Sequence, residues 1–189
     1  MGVVSLKSAL SWSFSGVQLR STGVQWDLRK VTPYEIYSKL VFKIPYSFNG
    51  DSYDRYLLRI EELYQSTSII SQVINKIASG SIKVDDSKYN SRTRVDFKIS
   101  MESLIHHFKL YTKGFVVNKG ESYVGIEAPK GEFGVFLISN SSEIPYRCKI
   151  RAPGYFHLQA INYLIKGNLI ADAVTIIGTL DIVFGEIDR

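Results

Sequence analysis

The sequence predicts an α+β fold that is mainly helical, with one long helix, several shorter helices and a small antiparallel sheet. Residues 53–79 repeat apolar side chains near the 3.6-residue helical period, whereas residues 123–139 are typical of two strands joined by a turn. The chain has 189 residues, of which 45% are hydrophobic and 13% aromatic. That is enough apolar surface to bury a real core in one domain or slightly more.

The charge balance is mildly basic, with 23 Lys and Arg against 18 Asp and Glu. The two signs are interleaved, as in Lys83-Val-Asp85-Asp86, so we do not expect a nucleic acid as a partner. No window approaches the roughly 20 apolar residues of a membrane-spanning helix. We therefore expect that no segment crosses a bilayer, and residues 1–20 show no secretory signal or presequence pattern.

The first half of the chain leads into the long helix. Residues 1–30 suggest small-residue and aromatic packing around a Gly-punctuated turn, and residues 31–50 an extended connector with a short strand at 41–44. The long helix covers residues 53–79, with Gly80 as its stop and a polar loop over 80–99. Its apolar residues are predicted to lie on one face: Leu57, Ile60, Leu63, Ile70, Val73, Ile74 and Ile77.

A second helix is predicted after Ser100, which suits an N-cap, and it ends near Gly114. Its i, i+3, i+4, i+7 pattern predicts one buried stripe, formed by Met101, Leu104, Ile105 and Phe108. His106 and His107 could indicate a metal or acid–base site. Neighbouring helical residues point about 100° apart, however, so we favour structural, capping or interface histidines.

The remaining elements are short. Pro129 and Gly131 favour a turn between two strands, a third strand is predicted at 146–150, and two helices at 155–166 and 168–177. Asn168 is the predicted cap of the last helix. A single cysteine, Cys148, excludes an internal disulfide and a self-contained cysteine-ligated cluster. The sequence indicates no general base that could activate it, so we expect a buried or half-buried inert thiol.

Six motifs, in order along the chain, go beyond these local patterns and resemble one family. That family is the quinone-site subunit of respiratory complex I, called the 49-kilodalton subunit or NADH dehydrogenase subunit 7. The motifs are Gly23-Val-Gln-Trp-Asp-Leu-Arg-Lys30, Gly50-Asp-Ser-Tyr-Asp-Arg-Tyr-Leu57, Ser100-Met-Glu-Ser-Leu-Ile-His-His-Phe-Lys-Leu-Tyr111, Glu127-Ala-Pro-Lys-Gly-Glu-Phe-Gly-Val135, Pro145-Tyr-Arg-Cys-Lys-Ile-Arg-Ala-Pro-Gly154 and Asp181-Ile-Val-Phe-Gly-Glu-Ile-Asp-Arg189.

The resemblance covers only the C-terminal half of the family, whose chain is about twice this length. Either the sequence is a fragment, or the subunit is split and its N-terminal half is a separate chain. The starting Met1 favours the split subunit. The resemblance then implies as partners that N-terminal half, the iron–sulfur subunit with the terminal 4Fe-4S cluster, other peripheral-arm subunits and the membrane subunit that forms the quinone channel.

The family is also similar to the large subunit of nickel–iron hydrogenases, and we expect the fold to resemble the C-terminal half of that subunit. Hydrogenases hold nickel with cysteines, two of them in a C-terminal Asp-Pro-Cys-x-x-Cys. Val183 and Glu186 stand where those thiolates would be, and neither is a soft ligand that could replace them. The resemblance therefore implies a metal-free pocket for the quinone headgroup.

The resemblance assigns roles to five residues. Val183 and Phe184 would form an apolar wall for the quinone ring, and Lys130 would face the same cavity. Asp181 and Glu186 would be the ionisable groups near the site where reduced quinone takes up two protons.

The implied function is that of a subunit of the proton-pumping NADH:ubiquinone oxidoreductase, inactive as an isolated chain. It would have ubiquinone as substrate, bind no cofactor by itself and lie on the matrix side of the mitochondrial inner membrane. A non-catalytic assembly subunit of the same complex is the alternative. A free-standing hydrogenase is disfavoured because the C-terminal cysteines are absent.

Overall fold

The computed structural model describes residues 1–86 and 88–188, which form ten α-helices, one 3₁₀ helix and one three-stranded sheet. This confirms the predicted α+β class. The elements are α1 (Leu6–Ser11), α2 (Val17–Arg20), α3 (Leu28–Val31), a 3₁₀ helix (Tyr37–Lys39), α4 (Ser52–Lys76), α5 (Asp96–Ile99), α6 (Met101–Thr112), β1 (Gly120–Ala128), β2 (Gly131–Ser139), β3 (Arg147–Arg151), α7 (Pro153–Leu158), α8 (Ile161–Ile165), α9 (Ile170–Leu180) and α10 (Phe184–Asp188).

The chain divides into two compact units. The first comprises residues 1–77, 124–135 and 150–189, and the second comprises residues 78–123 and 136–149. The core of the first unit gathers residues from both ends of the sequence, because the N-terminal segment packs on the C-terminal helices. Its buried members are Val4, Ala9, Phe14, Leu19, Ala160, Leu164, Ile176 and Leu180.

The predicted long helix is confirmed as α4, which has 25 residues and ends three residues before the predicted end at 79. Asp51 begins it, because its carboxylate accepts a hydrogen bond from the amide of Asp54 at 2.8 Å. The expectation of one apolar face is wrong. Leu58 and Val73 face the protein, whereas five of the predicted residues are more than 40% exposed: Leu57, Leu63, Ile70, Ile74 and Ile77.

Residues 41–44 are extended, as expected, but form no strand. The physical reason is that side chains of α4 replace a neighbouring strand. Gln72 accepts from the amide of Val41 at 2.9 Å and donates to its carbonyl at 2.6 Å, and Gln65 accepts from the amide of Lys43 at 3.0 Å. The backbone is thereby satisfied without a ladder.

In the second unit, Ser100 caps α6 as predicted and accepts from the amide of Ser103 at 3.4 Å. The buried stripe on α6 is wrong, since Met101 and Phe108 are each 68% exposed and Leu104 and Ile105 are 44% and 50% exposed. The helix is amphipathic, but no described element covers this face. The short helix α5 lies within the predicted 80–99 loop.

The sheet has the order β1-β2-β3 and is antiparallel. The predicted turn at Pro129-Lys130 joins β1 to β2, and most residues of β2 are half-buried. Cys148 lies on the edge strand β3 and is exposed, so the expectation of a buried or half-buried thiol is wrong. An edge strand is covered on fewer sides than a central one, and the sequence does not say which strand is the edge.

The C-terminal part holds more helices than the sequence predicts. Two helices, α7 and α8, replace the single one expected over 155–166. Leu169, not Asn168, is the N-cap of α9, because the side-chain amide of Asn168 instead donates to the carbonyl of Leu164 at 2.9 Å. Among the described residues, no helix has the length and apolar character needed to span a membrane.

Candidate functional site

The turn after β1 and the segment after α9 meet in the first unit. Lys130 Nζ donates to Asp181 Oδ1 at 2.6 Å and to the Asp181 carbonyl at 3.1 Å. The two side chains are 20% and 41% exposed, so the ion pair is open to solvent. Two of the five predicted site residues, 51 positions apart in the chain, therefore lie in direct contact.

Asp181 ends α9 in a left-handed conformation, with φ of 55°. Aspartate tolerates this region better than most residues, and here it turns the chain out of the helix. The carbonyl of Thr179, in the last turn of α9, accepts from Gln18 and from Arg59, each at 2.6 Å. Cations at a helix C-terminus interact favourably with its dipole, so Arg59 and Lys130 both stabilise this end.

Glu186 lies on α10, whose main neighbour is α7. Its Oε2 accepts from the amide of Gly154 at 3.2 Å, in the first turn of α7. A Cβ at Gly154 would come within 2.8 Å of the same oxygen. A larger residue at 154 would therefore displace the carboxylate of Glu186, which here helps to hold the C-terminal segment against α7.

The two apolar residues predicted to form a wall are exposed. Val183 is 42% exposed and Phe184 is 73% exposed. Arg189, the last residue of the motif, lies outside the described residues. In this chain Val183 and Phe184 thus form an uncovered apolar surface close in the chain to the Lys130–Asp181 pair, which neither confirms nor contradicts their predicted role.

A buried charge cluster surrounds Arg20 and includes Glu127, three residues before Lys130 in the chain. Arg20 donates to Glu62 at 2.9 Å, to Glu127 at 2.8 Å and to the carbonyl of Trp26 at 3.0 Å. The side chains of Arg20 and Glu127 are each 3% exposed. Sequence reasoning missed this cluster, although Glu127 opens the motif and could have been singled out.

The cluster places one guanidinium group between two carboxylates. Burial raises the pKa of Glu127, and the nearby carboxylate of Asp27 adds to this while Arg20 opposes it. Burial lowers the pKa of Arg20, but Glu62 and Glu127 outweigh it, so its pKa is raised. The raised pKa of Glu127 thus follows from its burial, and the raised pKa of Arg20 follows from its two carboxylate partners.

The turn also packs tightly on the N-terminal segment. Gly131 has a φ of 138°, and a Cβ there would come within 2.5 Å of Ser15 Oγ. The amide of Ser15 donates to His157 Nε2 at 3.4 Å. His157 is 1% exposed, and burial lowers its pKa to about 4. The sequence analysis missed His157 because nothing in its local pattern indicates burial.

The other candidate side chains do not join the site. His107 packs against Phe97 and Tyr111 with ring centroids 4.5 Å away in each case, which agrees with a structural role. Cys148 belongs to the second unit and is exposed. Within residues 1–86 and 88–188, no group of three or more His, Cys, Asp or Glu side chains is arranged to hold a metal ion.

Comparison with known proteins decides the family. The family described as "Respiratory-chain NADH dehydrogenase, 49 Kd subunit" matches residues 1–189. The chain belongs to this family. Among its curated relatives is the NADH-ubiquinone oxidoreductase 49 kDa subunit of Reclinomonas americana, which is 60% identical over the whole of this chain.

Two further relatives carry the same name. The NADH-ubiquinone oxidoreductase 49 kDa subunit of Prototheca wickerhamii is 58% identical, and that of Acanthamoeba castellanii is 59% identical, each over 100% of this chain. The chain spans 47% to 48% of these three relatives, so it covers about half of their length. It corresponds to a C-terminal-like segment of the 49-kDa subunit.

Proposed function

We propose that this chain forms part of the ubiquinone-reduction pocket of complex I, as the C-terminal half of its 49-kDa subunit. The observation that carries the proposal is the contact between Lys130 and Asp181 at 2.6 Å, which brings the turn motif and the C-terminal segment together. Both stretches resemble the family's quinone site. Ubiquinone is the substrate, and electrons reach it from a 4Fe-4S cluster in a neighbouring subunit.

In this proposal the apolar residues bind the quinone ring, and the charged residues stabilise charge and transfer protons. Val183 and Phe184 bind the flat quinone ring on an apolar surface that another chain completes. Lys130, paired with Asp181, presents a cation toward the oxygen on which negative charge develops during reduction. Asp181 and Glu186 supply or relay the two protons that ubiquinol formation requires.

The fold and partners follow from the same resemblance. We propose the architecture of the C-terminal half of the nickel–iron hydrogenase large subunit, with Val183 and Glu186 at the former thiolate positions. The chain covers 48% of the Reclinomonas relative, and we propose that the N-terminal half of the subunit is a separate chain rather than a preceding part of the same polypeptide. Intact-mass analysis of the purified complex tests this, and one continuous polypeptide of full family length would refute it.

The remaining partners are the iron–sulfur subunit with the terminal cluster, other peripheral-arm subunits and the membrane subunit that forms the quinone channel. The chain then lies in the peripheral arm, on the matrix side of the mitochondrial inner membrane. The energy released by quinone reduction drives proton pumping in the membrane subunits.

The pocket wall is tested by Val183→Met in the assembled complex. The longer side chain intrudes on the ring site, so we expect a changed KM for ubiquinone or changed inhibitor sensitivity, with the complex present at its normal level. Val174→Met is the control, because Val174 is an exposed valine of α9 outside the motif. Unchanged kinetics in a fully assembled Val183→Met complex would refute the wall assignment.

The second candidate function is a non-catalytic assembly role, favoured by the contact of Glu186 with α7. Glu186→Gln separates the two. A glutamine keeps an oxygen acceptor for the amide of Gly154 but cannot carry a proton, so a protonic role predicts roughly a tenfold to hundredfold lower turnover with normal assembly. Gly154→Ala displaces Glu186 instead. Wild-type turnover of Glu186→Gln across the pH range, with assembly loss in Gly154→Ala, would favour the assembly role.

A further inference from the structure

The backbone at Lys130 lies directly against a segment near the start of the chain, residues 13–16. A Cβ at Gly16 would come within 2.7 Å of the Cα of Gly131 and within 2.9 Å of the carbonyl oxygen of Lys130. Gly16 also has a positive φ of 63°, which favours glycine. A larger residue at 16 would therefore push the turn and Lys130 away from this segment.

Ser15 joins the two segments through its side chain. Its Oγ accepts a hydrogen bond from the amide of Glu132 at 3.1 Å. A Cβ at Gly131 would come within 2.5 Å of the same oxygen, so the hydroxyl fills the space beside this glycine. Ser15 is only 3% exposed, and water therefore has little access to the position of its hydroxyl. Both residues that follow Lys130 are thus in contact with one buried side chain.

Ser15 is itself held in place by α7. Its amide donates to His157 Nε2 at 3.4 Å. Burial lowers the pKa of His157 to about 4, so the imidazole is neutral near pH 7 and keeps the lone pair that accepts this bond. The ring of Phe14 packs edge-on against the same imidazole, with centroids 5.2 Å apart. Ser15 is therefore a fixed point for the turn rather than part of a loose segment.

Arg151 ties the same two segments together a second time. Its guanidinium donates to the carbonyl of Glu132 at 2.8 Å and to the carbonyl of Ser13 at 3.2 Å. Glu132 is thus held at its amide by Ser15 and at its carbonyl by Arg151. The side chain of Arg151 is 24% exposed, so this second tie can be changed with less disturbance of the core than the first.

The lysine needs such support because its ion pair is open to solvent. The side chains of Lys130 and Asp181 are 20% and 41% exposed, and a pair in contact with water contributes little free energy. The ion pair alone therefore does not fix the ammonium group at the end of a flexible four-carbon stem. A group that stabilises developing charge acts well only when its position is set before the reaction. That position is set by the backbone from which the side chain extends.

We propose that Ser15 is a positioning residue of the quinone site, which holds Lys130 in place through the backbone of Gly131 and Glu132. This inference rests on the proposed function, which gives Lys130 its role. Ser15 acts only through the lysine. Because Lys130 stabilises charge that develops during quinone reduction, a displaced lysine should slow the reaction more than it weakens the binding of ubiquinone.

The test is Ser15→Ala in the assembled complex, with kcat expressed per assembled complex so that a change in assembly alone does not alter it. We expect kcat to fall about tenfold while the KM for ubiquinone stays within about twofold of wild type. The matched control is Ser21→Ala. Ser21 is a fully buried serine of the same unit, and its hydroxyl donates to the carbonyl of Gln18 at 3.0 Å. This control should keep the wild-type kcat.

A double-mutant cycle with Lys130→Met determines whether Ser15 acts through the lysine. A methionine at 130 has no ammonium group to position, so adding Ser15→Ala to Lys130→Met should lower kcat by less than about twofold further. A general structural role for Ser15 predicts losses that multiply. Should Ser15→Ala fail to assemble, Arg151→Met replaces it and should show the same dependence on Lys130, because it removes the second tie to Glu132.

Each contrary outcome overturns a defined statement. A wild-type kcat for Ser15→Ala, an equal loss for Ser21→Ala, or losses that multiply in the cycle would refute the positioning role. The proposed function would then stand, provided that Lys130→Met is slow. Failure of both Ser15→Ala and Arg151→Met to assemble would assign these contacts to folding and likewise refute the positioning role. A wild-type kcat for Lys130→Met would refute the role of Lys130 in the proposed function, and the inference with it.

Discussion

Two ion pairs, one from the end of β1 and one from the turn that follows it, differ in nearly every physical respect. Glu127 pairs with Arg20 at 2.8 Å, and both side chains are 3% exposed. Three residues later, Lys130 pairs with Asp181 at 2.6 Å, with side chains 20% and 41% exposed. The distances are similar, so separation does not distinguish the two pairs.

Burial distinguishes them. In a buried ion pair each charge compensates the desolvation of the other. Removing one partner leaves an uncompensated buried charge, which strongly destabilises the fold. A pair in contact with solvent is screened, and water replaces a missing partner. The buried pair should therefore control stability, while the exposed pair can change its contacts during a reaction without unfolding the chain.

The largest effect is expected from Arg20→Met. This change leaves the buried carboxylate of Glu127 without its cation, and we expect a loss of about 3–5 kcal/mol in the free energy of unfolding. Urea denaturation measures it. Arg147→Met, at an exposed arginine of β3, is the control and should stay within about 0.5 kcal/mol of wild type.

A double-mutant cycle sharpens this result. Arg20→Met combined with Glu127→Met should lose less stability than the sum of the two single changes, because no buried charge of the pair remains uncompensated. Additive losses, or an Arg20→Met protein within about 1 kcal/mol of wild type, would show that burial does not separate the two pairs as described.

The second effect is a pH dependence of stability, and it comes from another buried ionisable side chain, His157. His157 accepts from Ser15, on the segment that packs against Gly131. Its pKa falls from 6.5 to about 4 in the folded protein. Between these two pH values the unfolded chain binds the proton of His157 more tightly than the folded chain does. The contribution of neutral His157 to the free energy of unfolding is therefore fully present above pH 6.5. It is lost as the pH falls to 4, which lowers the free energy of unfolding by about 3 kcal/mol.

His157→Gln should flatten the stability curve in this window, because a glutamine side chain does not titrate there. Thermal or urea unfolding at several pH values spanning the two pKa values of His157 measures the slope. An unchanged slope in His157→Gln would mean that other groups cause the acid sensitivity.

The smallest stability effect is expected from Lys130→Met. Since Asp181 is 41% exposed, water can replace the lysine, and the free energy of unfolding should fall by less than about 1 kcal/mol. The same variant should nevertheless lower quinone reduction in the assembled complex. Lys119→Met, at an exposed lysine, is the control for both measurements. A stability loss as large as that of Arg20→Met would remove the contrast between the pairs.

Local sequence signals predicted the elements that depend on local physics. The long helix, the turn at Pro129-Lys130 and the Ser100 cap each follow from periodicity, turn chemistry or capping within a few residues. The six motifs led to the family, which the comparisons confirm. The roles of Asp181, Glu186, Val183, Phe184 and Lys130 came from that resemblance and stay predictions.

Burial was the main source of error. The periodicity of α6 correctly grouped Met101 and Phe108 on one face, but both are 68% exposed. Cys148 was expected to be buried or half-buried, but it is exposed on an edge strand. Asn168 suited a cap, yet its side-chain amide bonds to Leu164 instead. In each case the local pattern was compatible with the prediction, and the surroundings decided otherwise.

By itself, the sequence determined which residues of α6 share a face, where the long helix begins and which family the chain belongs to. Only the tertiary structure decided which faces are covered, that Glu127 is buried beside Arg20, and that Lys130 reaches Asp181. The physical reason is that periodicity and capping act over a few residues, whereas burial and ion pairing join segments as far apart as the 107 positions between Arg20 and Glu127.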